Sequence, residues 1–162
     1  DPVAFLGDLP YPPSNLTAED VGPLADAAVA RASTAWPWFA RTFTRADYVA
    51  ALEAYRNQPD DFGVQEIRRA AEWATTHGIP ASRLLMGEFG TIGGTGSQAR
   101  VRMEDRWQLL ADKVRAAEEA GIAWSVWSWT SDFGIATGPG RRIDPGACAA
   151  LGLTGCTAPT GN

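Results

Sequence analysis

Apolar residues recur at helical spacing through the first half of the chain and gather into short unbroken runs in the second. Thr17 and Asp20 form a capping-box pattern, and Val21, Leu24, Ala25, Ala28 and Val29 follow on one face, which predicts a first helix. Trp36-Pro37-Trp38 breaks it. Thr44 with Asp47 repeats the cap signal ahead of Tyr48, Leu52 and Tyr55, a second helix. A third starts after Asp61, presents Val64, Ile67, Ala71 and Ala74, and stops at His77-Gly78 with Pro80 beyond. Before them all, Asp1 to Asn15 carries four prolines and reads as a loop.

The second half changes character. Leu84 to Phe89 is a short apolar run bounded by turn residues, the pattern of a buried strand. A glycine-rich loop, Gly90 to Ser97, leads into a helix over roughly Arg100 to Ala120, with Trp107, Leu110, Ala111, Val114 and Ala117 as its apolar stripe. Gly121 closes it, and Ile122 to Trp129 reads as a second buried strand. Asp144-Pro145 opens a last short helix, with Asp and Pro suited to the cap and the first helical position, and Gly152 ends it. Alternating helices and apolar strands argue for an α/β fold with a parallel sheet covered by helices. Two such strands cannot bury themselves, so either the chain holds further strands that the pattern does not reveal or the sheet is part of a larger one.

Composition narrows the classes of function. The 162 residues carry a net charge of −5, with 13 Arg and a single Lys, and no basic stripe. A nucleic-acid partner therefore lacks its main electrostatic requirement. No apolar run approaches the ~18 residues that cross a bilayer, so no membrane role is expected. One His (His77) and two Cys (Cys148, Cys156) do not supply four zinc ligands, and neither a metal nor a cofactor is expected. The eight-residue spacing of the cysteines leaves a local disulfide and two inert thiols equally open.

One residue does not belong in a core strand. Glu88 lies near the carboxyl end of the first apolar run, where a carboxylate is costly unless it is paired or used. Parallel α/β folds place their chemistry at that end of the strands. Pairing with a neighbouring Arg at the sheet rim is the plainer alternative. In the second run, period two sends Trp127 and Trp129 to one side and Trp124 to the other. An indole at a strand's carboxyl end offers a flat apolar platform for a sugar ring; core packing is the simpler role, and for Trp124 the preferred one. Asp132, just past that run, can reach sugar hydroxyls or serve as a loop acid.

Taken together, Leu84-Leu85-Met86-Gly87-Glu88-Phe89-Gly90, the following helix, Gly121 to Trp129 and Asp132-Phe133-Gly134-Ile135 resemble the last two strands of a cellulase-type glycoside hydrolase of family 5. That family consists of retaining (β/α)8-barrel enzymes. The resemblance implies that Glu88 is the nucleophile and that Trp127 lines the sugar site; Trp129 and Asp132 stand beside it as substrate-binding candidates by their own placement. Arg142-Ile143-Asp144 through Leu153 resembles the closing helix, and the likeness runs from Gly63 to Leu153. Asp1 to Phe5 resembles the segment after strand six.

The implied organisation is thus the C-terminal portion of one catalytic domain over residues 1–162. Residues 1–15 form the loop after strand six, 84–89 strand seven and 122–129 strand eight, a partial TIM barrel of the last two to three β/α units. The family's Asn-Glu pair, whose Glu is the acid/base, has no counterpart here, and a whole barrel takes about 250 residues. The expected partners are a β-linked glucan or glycoside and the missing N-terminal part of the same barrel; the expected location is secreted or periplasmic. A non-catalytic carbohydrate-binding or degenerate barrel fragment is the alternative.

Rival motifs are weaker. Gly94 to Ala99 matches G-x-G-x-x-A, but Gly94 lies five residues past Phe89 and no acid ends the next strand, as a dinucleotide site needs. No G-x-S-x-G elbow is present. His77 in a helix's last turn reads as structural, and Trp36 and Trp38 as packing of a long loop.

Overall fold

The computed structural model describes residues 6–34, 42–93, 101–137 and 140–156. The expectations for Asp1 to Phe5, Trp36, Trp38 and the Gly94 to Ala99 motif lie outside them. The chain divides into two compact units, Asp1–Asp60 with Gly94–Asp105 and Asp61–Gly93 with Arg106–Asn162.

The first unit is a helix pair. A 3-10 turn, Pro13–Asn15, precedes α1 (Ala18–Thr34) and α2 (Arg45–Arg56). Val21, Ala25, Ala28 and Ala32 of α1 are buried with Tyr48 and Leu52 of α2, whereas Val29 is exposed. The small alanines let the two helices approach, and Tyr48 fills the seam. At the start of α2 the capping box is complete: the Asp47 amide donates to the Thr44 side chain, and the Thr44 amide donates to Asp47 Oδ2 at 2.7 Å. Those contacts hold the Asp47 carboxyl below its usual range. A carboxyl lowered on folding stabilises above its unfolded pKa, and that contribution is lost as pH falls through the folded value. At α1 half of the box forms, the Thr17 amide and hydroxyl both donating to Asp20.

In the second unit α3 (Gln65–Thr76) ends as its sequence requires. Gly78 takes φ +65°, the Ile79 amide donates to Ala74 O at 2.8 Å, and the Gly78 amide to Thr75 O. β1 (Leu85–Phe89) and β2 (Ala123–Val126) pair in parallel through the crossover helix α4 (Met103–Glu119). Phe89 is buried with Leu110 and Val114 of α4 and Ala147 and Leu151 around α5 (Pro145–Ala150). Met86, Trp124 and Val126 pack against that cluster, and Trp124 meets Phe89 edge to face at 5.8 Å. Asp144 caps α5 by accepting from the Gly146 amide at 2.8 Å.

Three expectations are corrected. β1 is not buried throughout: Leu85 is 66% exposed, and Gly87 and Glu88 are exposed too. The helices cover one face of the pair, while the row of Leu85 and its register partner Ala123 lies bare. The second strand ends at Val126 rather than Trp129. The Trp127 amide still donates to Phe89 O at 2.7 Å, but Ser128 and Trp129 bond within their own loop, to Phe133, Ile135 and Ala136. Finally, a small antiparallel ladder of β3 (Ala136–Thr137) and β4 (Arg142–Ile143) was not predicted, because two-residue strands carry no readable period.

Candidate active site

Glu88 owes its position to a register shift. Leu85 pairs with Ala123 and Met86 with Trp124, but Phe89 pairs with Val126. Gly87 and Glu88 together therefore stand opposite Ser125 alone. An extra residue of this kind re-aims side chains and is frequent beside active sites. It returns Phe89 to the helix-covered face that Met86 already occupies and leaves the Glu88 carboxylate exposed at the carboxyl end of β1. Gly87, free of a side chain to pack, sits where the ladder slips, and a glycine inside a strand was the one local sign of it. Glu88 makes no hydrogen bond or ion pair among the described residues.

The aromatic residues meet β1 at the same end. The hydrogen bond from the Trp127 amide to Phe89 O brings the end of β2 against the end of β1, and the Trp127–Ser128 peptide is cis. Trp127 is 50% and Trp129 51% exposed. Asp132 is half-buried in the following loop, and its carbonyl accepts from the Gly93 amide at 2.5 Å. The structure thus brings Glu88, Trp127 and the Asp132 loop to one edge of the parallel pair.

Gly90 makes that approach possible. A Cβ there would stand 2.0 Å from the Trp127 carbonyl oxygen. Gly90→Ala is therefore expected to push the two strand ends apart, at a cost of about 1–3 kcal/mol. A shift of the denaturation midpoint measures it, and an unchanged midpoint would show that the ends are free to separate.

Sequence reasoning missed Arg106. It is 4% exposed, and its guanidinium donates from Nε to Thr91 O at 3.0 Å and Thr91 Oγ1 at 3.1 Å, and from Nη2 to Gly134 O at 2.9 Å. Its carbon Cζ lies 4.4 Å from the Trp107 ring centre. Burial lowers its pKa, with Asp144 opposing. His77, expected to be structural, bonds through Nδ1 to Trp73 O at 2.8 Å and stacks on the Trp73 ring. Cys148 and Cys156 are joined in a disulfide, which decides between the two options that spacing left open. Among the described residues no three His, Cys, Asp or Glu are grouped to hold a metal.

An exposed strand-end carboxylate and two exposed indoles thus stand at one end of an α/β unit. Residues 46–133, just over half of the chain, match the family model for cellulase, glycosyl hydrolase family 5. The chain belongs to that family, a family of TIM-barrel enzymes. No curated protein matches it significantly. Two solved structures are similar to it over 54% of its length: an endoglucanase at 24% identity with a TM-score of 0.44, and a hyperthermophilic endo-β-1,4-glucanase in complex with substrate at 28% identity with a TM-score of 0.42. The chain covers 26% and 27% of theirs, about a quarter of their length.

Proposed function

We propose that the chain is the C-terminal portion of a (β/α)8-barrel glycosidase, that Glu88 is its nucleophile, and that the whole enzyme hydrolyses β-linked glucan with retention of configuration. The observation that carries this reading is the placement of Glu88: exposed and without a partner among the described residues, in a register shift, beside Trp127. A rim ion pair, the plainer alternative for Glu88, is not formed among the described residues. The bare face of the β1–β2 pair supports the partial barrel, since two parallel strands covered on one side need further strands to enclose the other. The disulfide supports an oxidising, extracellular or periplasmic setting.

The chemistry is double displacement. The Glu88 carboxylate forms a bond to the anomeric carbon as the glycosidic oxygen leaves, taking a proton from a partner carboxyl roughly 5–5.5 Å away. Water then adds to the anomeric carbon, giving its proton to the same partner and releasing Glu88. The partner belongs to the missing part of the barrel. Trp127 and Trp129 supply apolar faces for sugar rings, and Asp132 a hydroxyl contact.

Incubating the complete enzyme with an activated 2-deoxy-2-fluoro glycoside is expected to leave the sugar on Glu88, located by peptide mapping. A label on another carboxylate, or a product of inverted configuration, would overturn the assignment. Trp127→Ala removes a platform worth about 1.5 kcal/mol and is expected to raise KM roughly tenfold. Steady-state kinetics on an oligosaccharide series measures this; an unchanged KM would return Trp127 to a packing role.

A further inference from the structure

We propose that Arg106 is a positioning residue of this site, clamping the loop after β1 to the loop after β2 so that Glu88 and Asp132 address one bound sugar. The inference deepens the reading of Glu88 and Trp127 as a glycosidase site and rests on it.

Arg106 comes from the first turns of α4, behind the sheet, and its guanidinium fork spans two segments that share no strand pairing. Thr91, two residues past the end of β1, receives Nε on both its carbonyl and its hydroxyl oxygen. Gly134, two residues past Asp132, receives Nη2 on its carbonyl. Between these anchors the Gly93 amide donates to the Asp132 carbonyl, closing the two loops on each other. The fit is tight, for a Cβ on Gly93 would lie 3.0 Å from Arg106 Nη1 and 3.2 Å from Asp132 O.

A buried cation is ordinarily matched by a carboxylate. Arg106 instead spends its donors on backbone carbonyls and one hydroxyl, and those acceptors lie 15 and 28 residues from it in sequence. Only a planar fork with several fixed donors can serve both loops at once; a lysine ammonium reaches one. The clamp sets the offset between a residue three places after Glu88 and the loop that carries Asp132. Glu88 itself is held by the ladder of β1, so loss of the clamp displaces the sugar-contacting loop more than the nucleophile.

The test uses the complete enzyme and three variants, Arg106→Met, Arg106→Lys and Gly93→Ala, with kcat and KM measured separately on an oligosaccharide and the melting temperature measured alongside. Misplacement of a substrate contact by about 1 Å costs up to 10²-fold. Arg106→Met is expected to raise KM roughly tenfold or more with a smaller fall in kcat, and Arg106→Lys to recover part of the loss. Gly93→Ala keeps the guanidinium but wedges the loops apart, and is expected to shift KM in the same direction. It decides the matter should Arg106→Met fail to fold. A lowered melting temperature with KM unchanged in the folded variants would overturn the proposal and leave Arg106 a packing residue. Should the fluoroglycoside label a residue other than Glu88, the underlying site assignment falls instead, whatever KM does.

Discussion

Replacing Glu88 by Gln in the complete enzyme is expected to lower kcat by roughly 10³-fold or more while leaving sugar affinity within a few-fold of the parent. Gln keeps the shape and the hydrogen-bonding capacity of the side chain but cannot form the glycosyl ester, so the first displacement has no nucleophile. Stability should change little, because Glu88 is exposed and makes no hydrogen bond or ion pair among the described residues. Binding by calorimetry, beside single-turnover kinetics, separates the two effects. A variant that keeps more than a few per cent of the parental kcat would remove Glu88 from the nucleophile role.

The isolated 162-residue chain is expected to show no glycosidase turnover and to associate rather than melt as a single cooperative monomer. On the proposed reading the acid lies outside this chain, so the leaving sugar goes unprotonated, and general acid catalysis alone is worth ~10²–10⁴ in rate. The physical part of the argument is surface. Among the described residues β1 and β2 each pair only with the other, so the outer edge of each is open. Leu85 lies bare beside a groove of about 300 Å³ lined by Ile67, Ala70, Leu84, Met86 and Ile122. Open strand edges next to apolar surface template association. Light scattering and an assay on soluble β-glucan, with an activated aryl glycoside alongside, test both halves. Turnover from a cooperatively melting monomer would place the acid within this chain, with Glu53, Glu66 and Glu72 as the candidates. Glu53 and Glu66 now pair with Arg56 and Arg69 on their own helices.

Local physics made much of this chain readable from its residues alone. Helices α1 to α5 follow from caps and periodicity within a few residues of one another: the Thr44–Asp47 box, the Gly78 stop, Asp144-Pro145 ahead of α5. The family was legible too, because its motifs are short, contiguous runs around Glu88 and Trp127, and the match over residues 46–133 takes in both. Tertiary structure decided the rest. Whether Leu85 is covered depends on strands that are not its sequence neighbours, so an apolar run that reads as buried stands open. The slip that turns out Glu88 is set by where Phe89 and Val126 meet across the ladder, and the end of β2 by where β1 stops offering partners. Arg106 reads in sequence as one more polar flank of a helical stripe. Its burial became visible only when folding brought Thr91 and Gly134, from opposite sides of it in the chain, onto one guanidinium.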